Sequence, residues 1–522
     1  MLRALAHAGI SLAEKLGNRR LVSAYDSHIR DALMADVSNA EHLVRKYLQK
    51  DASTKINLPD SFTPSDTREL LDKYLDSADA NLNYVRLVAT APTDAQAGVD
   101  AKLKLKAKRR SERLVQELFK QESAVKIKTG VEVQLVDSQH EPVKAELDDM
   151  VTTFAYSRSW FDETLDNASI LNNFQHLFEF ADDQALLTLP SYPAELGIFD
   201  RFMTTTGRKD YQTGAAFNAK DLGSLLQTRL YQDYLSSRDI SLETVIAWFF
   251  DTYLVEEFDA LNFSFAPSAA ASSYLERARH LFAEMEGLVN QFRHYVQDGE
   301  LDRELLSITS DPVLYKQIPS LLDGKYVYAT DHEEIRGVLH TLFDDQSRLK
   351  YINDTLKGES TAQLLIQNEV SYSDFREHQR SIVDQLIKLG VVEDTGARIE
   401  IADTQQLMLL HRLFTKQVAA YYRLSPHGRE TVDAFETRGW VLRRSSLLTE
   451  GEASYFNYFL NKTEFSNGPE LRNMYLHGSQ PTSASESEHF RTYLIALRML
   501  IALIIKFNDE FCLALTRKEV TS

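Results

Sequence analysis

Residues 488–515 read EHFRTYLIALRMLIALIIKFNDEFCLAL. Leu494, Ile495, Leu497, Leu500, Ile501 and Ile504 recur at helical rather than alternating spacing, which predicts one long helix. Its most apolar part, Tyr493 to Ile505, is broken by Arg498 and followed by Lys506. That is well short of the ~20 apolar residues a membrane span needs, so a buried helix is expected, within a mainly α-helical fold.

The rest of the chain fits that expectation. It has 522 residues, 43% of them hydrophobic, with only 20 Gly and 12 Pro. Such a chain has enough apolar surface for several cores and too few turn-formers for an all-β or low-complexity protein. A single cysteine, Cys512, excludes an intrachain disulfide framework and multi-cysteine zinc patterns. The formal net charge of −18 disfavours a general duplex-DNA coater, because that affinity comes from neutralising phosphates with Lys and Arg. The amino terminus lacks a long apolar stretch, and Glu14 and Lys15 follow soon after it, so a cytoplasmic chain with no membrane partner is expected.

Working back from the C-terminus, four regions are expected. Residues 1–150 form an N-terminal helical region with a small hairpin, and 151–359 a central helical domain. Residues 360–404 form a small helix–helix–hairpin module, and 405–522 a helical bundle. In the first region Asp66-Thr67-Arg68-Glu69 reads as a capping box with Asp66 as N-cap. It opens a helix striped by Leu71, Leu75, Ala78 and Leu82. A linker-like stretch at 89–101 precedes a basic run of Lys102, Lys104, Lys106, Lys108, Arg109, Arg110 and Arg113. That run suits phosphates or an acidic partner, and equally the solvated face of a long helix. Residues 125–127 and 131–135 alternate around Thr129-Gly130 and predict a β-hairpin near 125–136. Two further helical stripes are Val245, Trp248, Phe249, Thr252 and Leu281, Met285, Leu288, Phe292. No internal repeat at a fixed period is evident, so a solenoid is not expected.

Thr361 to Asn368 and Ser373 to Leu389 predict two helices, with Gly390 at the capping position of the second. Val391-Val392, the turn Asp394-Thr395-Gly396 and Ile399-Glu400-Ile401 predict a hairpin. This order resembles a winged-helix module, in which Arg376, His378, Arg380 and Lys388 would face a nucleic-acid groove. Acidic Glu377, Asp384, Glu393 and Asp394 lie among those bases, which favours a module that packs domains together.

Most familiar catalytic devices are absent. No Gly-rich phosphate loop of Walker or Rossmann type occurs, nor a Gly-x-Ser-x-Gly elbow. In His332-Glu333-Glu334-Ile335-Arg336, arginine stands where a zinc-protease helix needs its second histidine. Glu132-Val133-Gln134 has glutamine where a metal nuclease would carry lysine. No cofactor is expected.

What remains is Glu470-Leu471-Arg472-Asn473-Met474-Tyr475-Leu476-His477-Gly478. No other arginine in the chain precedes a histidine by four to six intervening residues. The segment resembles the R-x(4–6)-H motif of the HEPN superfamily, in which a polar residue commonly follows the arginine. EASYFNYFL at 452–460 before it and the long helix after it resemble a HEPN bundle over the last ~100 residues. The resemblance implies a metal-independent endoribonuclease with Arg472 and His477 as catalytic residues and Asn473 assisting, acting on an RNA substrate as a homodimer. It also implies a toxin or abortive-infection role in anti-phage defence, with the N-terminal part sensing a trigger or binding a protein partner. The alternative is a non-catalytic regulator that binds nucleic acid or protein through the winged-helix-like and HEPN-like modules.

The residue types suit that chemistry without the family. RNA can be cut with its own 2′-hydroxyl as nucleophile, given a group that exchanges protons near neutral pH and a fixed cation for the phosphate. Imidazole and guanidinium supply these, and Asn473 can hold the phosphate or orient the ring. Five residues of helix turn through about 140°, so Arg472 and His477 would not share one face of a continuous helix. Either the helix ends at His477, or a second copy completes the site.

Overall fold

A computed structural model of the chain describes residues 9–50, 55–120, 130–148, 150–202, 204–308, 312–480 and 484–521. It is mainly helical, 58% helix and 9% strand, with three small sheets among the described residues. No described helix is long and apolar enough to cross a membrane. The chain divides into two compact units, each discontinuous in sequence. One comprises residues 1–129, 196–215 and 457–473, the other 130–195, 216–456 and 474–522.

The first unit packs α1 (Pro64–Asp76), α2 (Leu82–Thr90) and α3 (Ala101–Lys120) with shorter N-terminal helices around Leu33, Leu43, Leu70, Leu71, Val88 and Leu103. The N-cap of α1 is Thr63, not Asp66. The Thr63 hydroxyl accepts from Asp66 N at 3.2 Å, and the Asp66 carboxylate accepts from Thr63 N at 2.8 Å. Pro64 at the first helical position, where no N–H is needed, moves the start back by three residues. The expected stripe from Leu71 to Leu82 is also split, because α1 ends at Asp76 and Leu82 opens α2.

The second unit begins with β1 (Gly130–Val136), β2 (Val143–Asp148) and β3 (Val151–Ser157). Of the expected hairpin near 125–136, residues 125–129 lie outside the described residues. The strand at 131–135 pairs in parallel with β3, and β2 pairs antiparallel with β3 on its other edge. Among the described residues the sheet order is β1–β3–β2. The unit continues with α4 (Ala215–Ser236), α5 (Tyr274–Asp298), β4 (Tyr326–Ala329) and α6 (Glu333–Phe343). The stripe at Val245–Thr252 is helical to Trp248 and then widens into a π-turn over Phe249–Tyr253.

Helices α7 (Thr361–Gln367) and α8 (Glu377–Lys388) are followed by β5 (Val392–Asp394) and β6 (Ile399–Ile401), which form an antiparallel hairpin. The next segment repeats this pattern with α9 (Thr404–Thr415), β7 (Ala419–Ala420), α10 (Pro426–Thr437) and β8 (Val441–Arg444). The pairs Tyr372/Tyr421, His378/His427, Arg380/Arg429, Asp384/Asp433, Gly390/Gly439 and Val392/Val441 all fall at one constant offset. Their bonding repeats too. Tyr372 donates to Asp384 at 2.8 Å and Tyr421 to Asp433 at 3.2 Å.

Gly390 and Gly439 both take the left-handed conformation, at φ +70° and +73°, that closes a helix C-terminus. Behind them Val391 N donates to Leu386 O and Trp440 N to Phe435 O. In the second copy β4 occupies the sheet position that β6 holds in the first, giving the order β7–β4–β8. One core, including Leu364, Val383, Leu386, Leu410, Val432, Phe435 and Trp440, serves both copies. A single duplication is therefore present among the described residues where the sequence suggested no repeat; the constant offset of these pairs and their shared bonding expose it together.

The chain ends with α11 (Glu450–Leu460), α12 (Leu471–Leu476) and α13 (Glu486–Thr521). Within the second unit α13 packs along α5, and Leu494, Leu497, Leu500, Ile501 and Ile504 are buried. Its buried charged residues meet counter-charges. Lys325 Nζ lies 2.8 Å from Asp509 and 2.6 Å from Glu510, Arg423 is 2.6 Å from Asp509, and Lys506 meets Glu452 at 3.0 Å. Buried charges persist where each meets a counter-charge and further hydrogen bonds, and Glu452 also accepts from Leu187 N and Thr449 N.

Candidate functional site

The motif is approached by a loop whose backbone is built for it. In the first unit Asn467 bonds the backbone of Tyr211 through both ends of its amide, at 2.9 Å each. A Cβ on Gly468 would stand 1.9 Å from the Tyr458 carbonyl oxygen, so no side chain fits there. Glu470 adopts φ +54°, which is uncommon for a residue with a side chain, and Lys462 holds its carboxylate at 2.5 Å. This turn delivers the chain into α12.

Arg472 and Asn473 are half-buried on α12, and Arg472 Nη1 donates to Asn473 Oδ1 at 3.1 Å. The Asn473 side chain thus orients the guanidinium. The division between the two units falls within α12, after Asn473. On the far side, Gly478 at φ +68° and the bond from Ser479 N to Met474 O at 2.9 Å close the helix in a Schellman-type cap. His477 is the cap residue itself, and its imidazole is exposed.

Tyr475, between the two, is buried. Its hydroxyl donates to Thr492 Oγ1 at 3.0 Å and lies 2.8 Å from His489 Nδ1, while Thr492 donates to Glu488 O at 3.1 Å. Every member is satisfied when His489 carries its proton on Nδ1, giving a directed chain from His489 through Tyr475 and Thr492 to Glu488 O. Burial pushes the Tyr475 phenol above its ordinary pKa. Arg279 of α5 adds a bond to Tyr475 O at 3.1 Å, satisfying a carbonyl at the helix end. Sequence reasoning missed Tyr475, His489, Thr492 and Arg279. Only the position of Tyr475 inside the motif hinted at its part.

The other expected contacts divide. Arg376 Nη2 donates to Ile352 O at 2.7 Å, and Arg380 Nε donates to Phe375 O at 3.0 Å, so both guanidiniums are bonded to the chain's own backbone. Lys388 and His378 are exposed. In the basic run, Lys106 and Arg110 are bonded to α1 and its C-cap, Lys104 is half-buried, and Lys102, Lys108, Arg109 and Arg113 are exposed.

A cavity of 720 Å³ lies in the duplicated region of the second unit, lined by Ala362 and Ile366 and by their counterparts His411 and Thr415. Ile366 and Met408 on its rim are 64% and 61% exposed. Arg412 on its wall is paired with Asp182 and Asp183 at 2.7 and 2.5 Å. Among the described residues no group of three His, Cys, Asp or Glu side chains is placed to hold a metal ion. No family model, curated protein or solved structure matches the chain.

Proposed function

We propose that the chain is a metal-independent endoribonuclease of HEPN type, with Arg472 and His477 as its catalytic residues and Asn473 orienting the arginine. The observation that carries this reading is the exposed imidazole of His477, set one residue beyond a short helix that bears Arg472 and Asn473. In the reaction, the imidazole accepts the 2′-hydroxyl proton as the 2′-oxygen bonds to phosphorus. The bond from phosphorus to the 5′-oxygen then breaks, and the proton is returned to that leaving oxygen. Arg472 stabilises the charge that builds on the phosphate.

A second copy would bring a second arginine and histidine to the same phosphodiester. The apolar residues of α13 are buried within their own chain, so the partner copy would approach over the exposed end of α12. A defence or toxin role, with the N-terminal part responding to a trigger or protein partner, follows from the same reading.

The test is cleavage of single-stranded RNA by the purified chain in EDTA. His477→Ala should lower the rate at least ~100-fold, the lower end expected for a lost general base, with the thermal unfolding curve unchanged. Cleavage that needs added metal, or an active alanine variant, refutes the assignment.

A second reading is favoured by the duplicated region, where Arg376 and Arg380 are bonded internally and an open groove presents Ile366 and Met408. Under it the two copies form a winged-helix-like platform for a protein partner. No RNA cleavage, together with partner capture lost on Met408→Asp, would decide for it.

A further inference from the structure

The sheet β1–β3–β2 ends in β2, an edge strand among the described residues. Ser157 N donates to Pro142 O at 3.0 Å, and the ladder goes on to oppose Lys144 to Ala155, Glu146 to Thr153 and Asp148 to Val151. Antiparallel strands bond through every second residue, so these residues of β2 turn their backbone groups to β3. Val143, Ala145 and Leu147 turn theirs outward, where no described residue bonds them. Proline, a common block to edge pairing, falls here at the inward-turned Pro142 and interrupts nothing on the free side.

The side chains of β2 are sorted by face. Val143 and Ala145 line one hollow with Val131, Phe154 and Tyr156 of the neighbouring strands, and Leu147 continues that face. Ala145 and Leu147 are exposed, Leu147 to 75%. On the opposite face Lys144 Nζ holds the Glu146 carboxylate at 2.5 Å, and all of these residues belong to the second unit.

An identical strand laid antiparallel along this edge keeps apolar residues beside apolar ones only if the two-fold axis passes through a residue. With the axis at Lys144 two ammoniums oppose each other, and with it at Glu146 two carboxylates do. With the axis at Leu147, Glu146 opposes the partner's Asp148. With the axis at Ala145, Lys144 opposes the partner's Glu146, Val143 opposes the partner's Leu147, and Ala145 meets its own copy. Like charges directly opposite destabilise a strand pair and unlike charges support it, so the edge is complementary to itself in this register. The residues opposed there with outward backbone groups are Val143, Ala145 and Leu147, and each opposed pair of them would exchange two hydrogen bonds.

We propose that β2 pairs antiparallel with β2 of a second copy of this chain about a two-fold axis at Ala145, joining two three-stranded sheets into one. The inference goes beyond the ribonuclease reading and uses none of its residues. A single strand edge lies at the small end of specific interfaces, so the self-association is expected at micromolar concentration.

Sedimentation velocity of the full chain over a concentration series tests this. Lys144→Glu and Glu146→Lys each turn two attractive opposed pairs into repulsive ones, and each should weaken self-association at least ~10-fold. Mixed in equal amounts, the two variants should associate with each other as the wild type does with itself, because carboxylates then oppose ammoniums throughout. Both substitutions in one chain should restore self-association. A wild type that stays monomeric overturns the proposal, as does self-association indifferent to both substitutions. Single variants that fail to associate on mixing overturn the register and with it the proposal. Growth of the wild type into open-ended fibres does the same, since a two-fold contact closes on itself. Both side chains are exposed, and an unchanged circular dichroism melt confirms that each variant is folded. RNA cleavage is not the readout, so failure here leaves the ribonuclease reading as it stands.

Discussion

The Tyr475 hydroxyl and the His489 imidazole share a 2.8 Å hydrogen bond that ties the middle of α12 to the first turns of α13. Because Thr492 extends the bond to a backbone carbonyl, removing one hydroxyl leaves two polar groups of a buried chain without partners.

Tyr475→Phe should therefore destabilise the fold by about 1–3 kcal/mol, the cost of an unsatisfied buried polar group. Urea unfolding measures this. If α12 is the catalytic helix, RNA cleavage falls as well, and His489→Phe should show the same pattern. A Tyr475→Phe chain as stable as the wild type would mean that the hydroxyl does not hold the helix.

Gly468→Ala tests the loop before the motif. The added methyl would meet the Tyr458 carbonyl oxygen at 1.9 Å, a backbone atom that cannot rotate away. Overpacking of this kind costs about 1–3 kcal/mol, and the melting temperature should fall accordingly. Gly287→Ala, where nothing lies within 4 Å of the added methyl, is the control and should leave the melt unchanged or raise it.

Lys325 is fully buried between Asp509 and Glu510. Lys325→Met removes one partner of a buried cluster and should cost about 3–5 kcal/mol. The pH dependence has a definite sign. Burial would raise the Asp509 carboxyl, but Lys325 and Lys506 overcome it and hold the group below the ordinary aspartate value. Its contribution is therefore complete above pH ~4 and lost as pH falls through the folded value. For Lys325, burial would lower the ammonium, and Glu510 and Asp509 overcome it. That contribution holds below pH ~10.4 and is lost as pH rises through the folded value. Urea midpoints across pH should show both limbs, with the acid limb moved to higher pH in Lys325→Met.

His427 is exposed, 2.5 Å from Asp403 and 3.5 Å from Glu430. Hydrogen bonds to these carboxylates raise the imidazole above the ordinary histidine value. Its NMR titration midpoint should lie above that of free histidine and return towards it in Asp403→Asn. His378, its counterpart in the first copy, serves as the internal comparison.

The sequence made the helical class legible because periodic apolar residues report burial directly, and the long terminal helix runs from Glu486 to Thr521 as its spacing implied. Local signals were less reliable where a neighbour outweighed them. Pro64 and Thr63 displaced the cap from Asp66. The duplication stayed hidden because its two copies share a fold and a bonding scheme but few core side chains. Of the candidate site, the expectation of Arg472, Asn473 and His477 came from the motif that their residue types and spacing resemble. Tyr475 with His489 could not be read that way, since their contact depends on how α12 is laid against α13.

The first unit is completed only by residues 457–473, far along the chain from its opening 129 residues. During synthesis at ~5–20 residues per second, roughly 20–70 s separate the emergence of these two parts from the ribosome. Throughout that interval the nascent polypeptide carries its α3 cations but neither the arginine nor the imidazole. If Arg472 and His477 cut RNA as proposed, the nascent chain cannot do so before residues 472–477 have been made.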